Sequence, residues 1–203
     1  MEKRILVTGF GPFGQETCNP SLEAVRALPG RAGGVLILKE QLPVMFGFGA
    51  ERLLTLIEEK RPDAVLCTGL AAGRRALTPE VIAVNMKNAR IPDNKGLQPL
   101  WEKIREEGPD GIFTRMDVKK TVQSLQEAGI PAEASFSAGT FVCNEVMYRL
   151  LETDLPGGFV HVPCAAEFPC SKEHFALPLA EITKGLEICI LELAKGLSRE
   201  TER

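Results

Sequence analysis

The chain has 203 residues, 44% of them apolar and 25% charged, with a formal charge of −3 at neutral pH. That length supports a substantial core without staples, and the composition is that of a folded globular protein, not a disordered one. The slight negative charge leaves no basic footprint for nucleic acid or an anionic membrane, and no apolar stretch is long enough to span a bilayer.

Met1-Glu2-Lys3-Arg4 leads into an apolar run of only Ile5-Leu6-Val7 before Thr8-Gly9, too short for a secretory core segment. A cytoplasmic protein with reduced thiols is therefore expected, despite six cysteines. Apolar runs suited to buried strands recur at residues 4–8, 35–38, 64–67, 132–136 and 159–162. Helical patterns occupy residues 21–28, 48–60, 118–128, 141–151 and 172–197. Strands alternating with helices predict a single α/β domain over residues 1–203, its largely parallel sheet covered on both faces. Pro62-Asp63, Gly129-Ile130-Pro131 and Pro156-Gly157-Gly158 supply breaks before three of the strands. Two segments interrupt the rhythm: Thr8-Gly9-Phe10-Gly11-Pro12-Phe13-Gly14 after the first strand, and residues 69–99. Ligands of open α/β sheets collect outside the carboxyl ends of strands. Both loops and His161 belong to that edge.

The stretch Gly139-Thr140-Phe141-Val142-Cys143-Asn144 carries the clearest chemical signal. It places Cys143 in the first turn of a helix, where unpaired N–H groups and the positive end of the dipole favour a thiolate. Only two histidines can partner it. His161 lies in the strand-like Gly158-Phe159-Val160-His161-Val162-Pro163, whereas His174 opens a charged helical pattern and reads as a solvated or capping residue. A cysteine so placed with one nearby histidine is minimal equipment for a thiol hydrolase; the alternative is a small buried hydrophobe, the commoner fate of a free cysteine. An orienting carboxylate could be Glu80, Asp93 or Glu167, and the residues alone do not choose among them. Arg90 suits either a salt bridge or developing negative charge.

Two other patterns fail on inspection. Gly9-Phe10-Gly11-Pro12-Phe13-Gly14 is formally G-x-G-x-x-G, but Pro12 removes a donor and no Walker lysine follows. Its two phenylalanines suit an apolar pocket for a small uncharged ring better. Cys164, Cys170 and His174 form C-x5-C-x3-H, which lacks the close cysteine pair of common zinc sites. Neither metal nor cofactor is expected.

In these same residues the chain resembles the type I pyroglutamyl peptidases, a cysteine peptidase family. The similarity runs through Val7-Thr8-Gly9-Phe10 with Pro12-Phe13-Gly14, Asn19-Pro20-Ser21, Gly73-Arg74 with Thr78-Pro79-Glu80 and Asn85, and Ala89-Arg90-Ile91-Pro92-Asp93-Asn94. It continues in Ala128-Gly129-Ile130-Pro131-Ala132, Ser137-Ala138-Gly139-Thr140-Phe141-Val142-Cys143-Asn144 and Phe159-Val160-His161-Val162-Pro163. The resemblance implies a three-layer α/β/α sandwich of the phosphorylase/hydrolase-like kind. It implies Cys143 as nucleophile, His161 as general base and Glu80 as the orienting acid. Arg90 would hold the oxyanion together with the Cys143 backbone N–H. Phe10, Phe13, Phe141 and Val142 would surround the lactam ring, with Asn19 and the position of Leu70 also in the pocket. The implied substrate is a peptide with an amino-terminal pyroglutamyl residue, and the implied assembly a dimer or tetramer.

This sequence departs from the family pattern at three places. Leu70 stands where a lactam-contacting Gln is usual, Glu145 where His is frequent, and Phe136 where Asn is usual. Leu70 opens two alternatives: a related thiol hydrolase with a different preferred acyl group, or a binding homologue that turns over little.

Overall fold

The computed structural model describes residues 2–14, 16–168 and 175–200. Elements follow in the order β1 (Lys3–Phe10), α1 (Pro20–Ala27), β2 (Arg31–Ala32), β3 (Val35–Leu42), α2 (Phe48–Lys60), β4 (Ala64–Leu70), β5 (Thr78–Pro79), β6 (Ile82–Val84) and β7 (Gly111–Phe113). They continue as α3 (Val118–Glu127), α4 (Val142–Leu151), β8 (Gly157–Val162), β9 (Cys164–Ala165), β10 (Ala176–Leu177) and α5 (Leu179–Glu200).

The main sheet has the order β2-β3-β1-β4-β8-β5. Its inner pairings β1–β3, β1–β4 and β4–β8 are parallel, and the short edge strands β2 and β5 are antiparallel. Alternation along β1 feeds two cores. Ile5 and Val7 enter the one under α1, α3 and α5, while Leu6 and Phe10 enter the one under α2 and α4. The result is a three-layer α/β/α fold with a mostly parallel central sheet. From β1 the chain crosses to β3 on one side and later returns to β4 on the other. The carboxyl ends of β1 and β4 therefore diverge around a crevice, the usual place for a ligand in such sheets.

Local sequence explains the elements that frame this crevice. Asn19 caps α1 by accepting from the Ser21 N–H, and Pro20 occupies the first helical turn. Gly9 is required where α1 crosses β1, because a Cβ there would lie 2.6 Å from the Leu22 Cα. Helix α2 buries Gly49, Ala50, Leu53 and Leu56, a single stripe at helical spacing. It stops at Arg61, which adopts a left-handed conformation (φ 45°) just before Pro62.

Two elements differ from the sequence expectation. Residues 132–136 form no strand, only isolated bridges from Ala132 to Leu77 and from Ser135 to Glu80. The segment does bond to residues 77–81, through Leu77 N to Pro131 O, Glu133 N to Leu77 O, Ser135 N to Pro79 O and Val81 N to Ser135 O, but β5 is two residues long and the bridges stay isolated. Helix α5 begins at Leu179, not at residue 172, because Pro178 ends the preceding β10 segment and starts the helix. The short strands β2, β5, β6, β7, β9 and β10 were not expected. His174 and Cys170 lie outside the described residues. Among those described, Cys18, Cys67, Cys143 and Cys189 are free thiols, whereas Cys164 is disulfide-bonded, contrary to the expectation of reduced thiols throughout. No helix among the described residues is long and apolar enough to cross a membrane.

Candidate active site

Helix α4 delivers Cys143 as its second residue. Phe141, at the cap position, makes no side-chain cap bond, so neighbours fix this helix start instead. Asn144 is fully buried, and its amide copies a strand: Oδ1 accepts from Val84 N at 2.9 Å, and Nδ2 donates to Val84 O at 2.8 Å and Met86 O at 3.0 Å. Glu145 accepts from Gly47 N at 2.8 Å, tying α4 to the start of α2. These two anchors hold the turn that carries the thiol.

Strands β4 and β8 bring the other groups to it. Gly69 pairs in register with His161, and parallel partners point their side chains to the same face. A Cβ on Gly69 would lie 2.9 Å from the Cys143 Sγ and 3.0 Å from the Phe159 Cζ. Glycine at this place leaves the room that the thiol occupies, beside the imidazole. Strand β5 runs along β8 with Thr78 opposite His161, and this puts Glu80 behind the ring. His161 Nδ1 lies 2.6 Å from Glu80 Oε1, with both side chains buried. A carboxylate there accepts the Nδ1 proton and leaves Nε2 as the basic nitrogen.

Of the three carboxylates, Glu80 is the one in contact with His161. Asp93 is spent on the backbone N–H groups of Phe46, Lys95 and Leu97 at 2.8–2.9 Å. Glu167 accepts from Leu179 N at the start of α5.

The electrostatics divide the three groups. Burial lowers the His161 pKa below its ordinary 6.5; Glu80 opposes that and Arg74 adds to it. Burial pushes Glu80 up, but the hydrogen bond and charge of His161, helped by the Ser135 side chain and then Arg74, more than offset this and hold the carboxyl below its usual value. At neutral pH the pair is thus an ionised carboxylate and a neutral imidazole. Burial, with the Glu80 charge, pushes the Cys143 thiol up to about 12, against the pull of Arg74 and its own helix backbone. Although the residue keeps partial access to solvent, its sulfur is packed among Gly69 and Phe159. The helix start was expected to favour a resting thiolate. Desolvation outweighs it here and keeps the thiol protonated at neutral pH.

In front of the sulfur lies a cavity of about 570 Å³ at the β1/β4 crevice. Phe10, Phe13, Leu70, Phe141 and Val142 give it apolar walls, with Asn19 and Arg90 also lining it. Phe13 and Phe46 each meet Phe141 edge-on, at 5.3 and 5.2 Å between centroids. Asn19 is committed to its own loop, since Oδ1 accepts from Ser21 and Nδ2 donates to Gly11 O at 3.1 Å. Arg90 is exposed on the cavity wall.

The sequence reading missed three supporting residues. Phe46 buttresses Phe141. Asn94 brackets Phe13, donating to Pro12 O at 2.9 Å and accepting from Gly14 N at 3.2 Å. Arg74 binds Glu80. Arg74 and Asn94 stand within the family-like motifs, but no role followed for them there, because Phe46 and Asn94 meet partners about 80 or more residues away and Arg74 joins nearby Glu80 to distant Ser137.

A thiol with an imidazole–carboxylate pair beside it, at the end of an apolar cavity, is the equipment of a cysteine-type hydrolase. Comparison with known proteins agrees. A model of the pyroglutamyl peptidase family matches residues 3–195. A pyrrolidone-carboxylate peptidase of Bacillus amyloliquefaciens is 43% identical, with 96% of this chain and 94% of the relative covered. One from Thermococcus kodakarensis is 44% identical, covering 97% and 98%. The crystal structure of the B. amyloliquefaciens pyroglutamyl peptidase I superposes with a TM-score of 0.92 at 41% identity, over 96% of this chain and 98% of that one. The pyrrolidone carboxyl peptidase of Thermococcus litoralis gives a TM-score of 0.92 at 32% identity, over 98% and 96%. The chain belongs to the pyroglutamyl peptidase family.

Proposed function

We propose that this protein is an exopeptidase that removes an amino-terminal pyroglutamyl residue from peptides through a thioester on Cys143. The observation that carries the reading is the 2.6 Å His161–Glu80 contact beside a sulfur that faces an aromatic cavity. His161 Nε2 takes the Cys143 proton as sulfur attacks the pyroglutamyl carbonyl carbon. The oxyanion is met by the Cys143 N–H at the start of α4 and by the charge of Arg90. Collapse breaks the C–N bond, and the imidazolium gives its proton to the departing amine. Water then attacks the thioester with His161 again as base, releasing pyroglutamic acid and the thiol. A lactam carries no amino-terminal charge, which suits walls built from Phe10, Phe13 and Phe141.

A chromogenic pyroglutamyl amide tests this reading directly. Release of the chromophore is expected, and its absence from well-folded protein contradicts the activity. Leu70 lines the cavity and favours a second reading, in which the preferred acyl group differs. Leucine can neither donate to the ring carbonyl nor accept from the ring N–H. An unpaired lactam group in a dry pocket costs about 1–3 kcal/mol, or roughly ten- to a hundredfold in efficiency. Leu70→Gln should therefore raise kcat/KM for the pyroglutamyl amide without moving the pH profile. An unchanged or lower value means that backbone or water already satisfies the ring.

Gly69 gives a steric test of the same site. Gly69→Ala should displace the sulfur, because the new methyl would sit 2.9 Å from it. We expect kcat to fall about 10²-fold, with the melting temperature little changed. Wild-type kcat in this variant would show that the sulfur's resting place does not matter.

A further inference from the structure

Arg74 lies in the loop between β4 and β5, in a turn closed by its own N–H bonding to Ala71 O at 2.9 Å. Its guanidinium reaches three acceptors. Nη1 donates to Glu80 Oε1 at 2.6 Å and to Thr78 Oγ1, and Nη2 donates to Ser137 O at 3.0 Å. The Glu80 oxygen it binds is the same one that faces His161 Nδ1. Thr78 stands opposite His161 in the β5–β8 ladder, and Ser137 belongs to the segment that runs into Phe141 and Cys143. One side chain thus touches the carboxylate, the strand beside the imidazole and the approach to the thiol. Its side chain is only 24% exposed, against 0% for Glu80.

We propose that Arg74 is a positioning residue for the reaction: it fixes the Glu80 carboxylate on His161 and ties that pair to the segment carrying Cys143. The proposal rests on the roles given above to Cys143, His161 and Glu80. A planar fork can bind a carboxylate and a second acceptor at once, which a lysine ammonium does with less geometric control. Among the described residues, the charged and titratable groups around the imidazole are Glu80 just after β5, Arg74 before it and the Cys143 thiol on α4. Arg74 is the cation among these described groups. Its charge acts in one direction on both partners, holding Glu80 ionised and disfavouring a second positive charge on His161. Removing it raises the pH at which the imidazole becomes a free base.

The test is the pH dependence of kcat and KM for a pyroglutamyl amide in Arg74→Ala, Arg74→Gln and Arg74→Lys, with folding followed by circular dichroism. In Arg74→Ala, kcat should fall about ten- to a hundredfold with KM within about twofold, and the acid limb should move up by about one pH unit. Arg74→Gln covers the case in which alanine prevents folding, and should show the same shift. Arg74→Lys restores the charge without the fork, so the limb returns toward its wild-type position while kcat recovers only in part. A folded Arg74→Ala or Arg74→Gln enzyme whose acid limb stays in place overturns the proposal, whether or not its melting temperature or kcat falls. Failure of the underlying reading is separate: it shows as turnover that survives in Cys143→Ala with Arg74 intact.

Discussion

Replacing Cys143 with alanine should reduce turnover of a pyroglutamyl amide by at least about 10⁴-fold, because among the described residues no other thiol lines the cavity and the Thr140 hydroxyl there is bonded to Asn88 O. The remaining thiols are poor substitutes. Cys67 and Cys189 are fully buried, with burial pushing each up to about 12. Cys18 precedes α1, and burial with the charges of Glu23 and Glu16 raises its pKa. The substitution removes one sulfur beside Gly69, so the melting temperature should change little, in keeping with about 1 kcal/mol for a small truncation. Alkylation should sort the thiols by their partners and not by exposure alone. Modification of Cys18 by iodoacetamide should leave activity intact, and inactivation should track the peptide that contains Cys143. Inactivation that follows Cys18 instead would remove Cys143 from the mechanism.

The second large effect is expected at His161. His161→Ala deletes the base, and the thiol it leaves, held near 12 by burial, is almost wholly protonated at neutral pH. A loss of about 10³- to 10⁴-fold follows. Glu80→Gln should be milder, about 10²-fold, for a reason visible in the bonding. Arg74 Nη1 and His161 Nδ1 both converge on Oε1, so a glutamine keeps its oxygen, not its NH₂, toward them and preserves the tautomer. What is lost is the charge that stabilises the imidazolium. In the wild type, burial lowers the His161 pKa. Rate should therefore rise as pH passes through a value below the ordinary 6.5 and then level off. No fall is expected near the usual thiol pKa, since burial pushes the Cys143 thiol well above it. Equal losses in the two variants, or a bell centred between 6.5 and 8.5, would mean that a preformed ion pair is the reactive state.

Much of this site can be read from local patterns, and the exceptions have physical causes. Cys143 and His161 stand out because each sits in a recognisable setting, a helix start and a strand end on the ligand-bearing edge of the sheet. Glu80 does not stand out, since one carboxylate near a turn looks like another. Three-dimensional bonding separates it from Asp93 and Glu167, which satisfy backbone N–H groups instead. Arg74 and Asn94 stand in family-like motifs yet receive no role there, because what they join, Ser137 and Pro12, lies 63 and 82 residues away. In the fold, α2 was legible to the residue because its apolar stripe ends at an X-Pro step. Residues 132–136 pair along residues 77–81 but only through isolated bridges, and Phe136 at their end is 73% exposed, so the apolar run does not become a strand. The thiolate expected at the helix start failed on magnitude: the dipole is worth about 1–2 kcal/mol at most, less than the cost of desolvating a buried anion.

The most direct measurement of the proposed chemistry is an acid quench of the enzyme during turnover of a pyroglutamyl ester, followed by mass spectrometry of its peptides. A thioester on sulfur predicts one pyroglutamyl increment on the peptide containing Cys143, discharged by hydroxylamine and absent from Cys143→Ala. Steady turnover with no covalent species at any quench time, or an increment on a peptide without Cys143, would contradict the account.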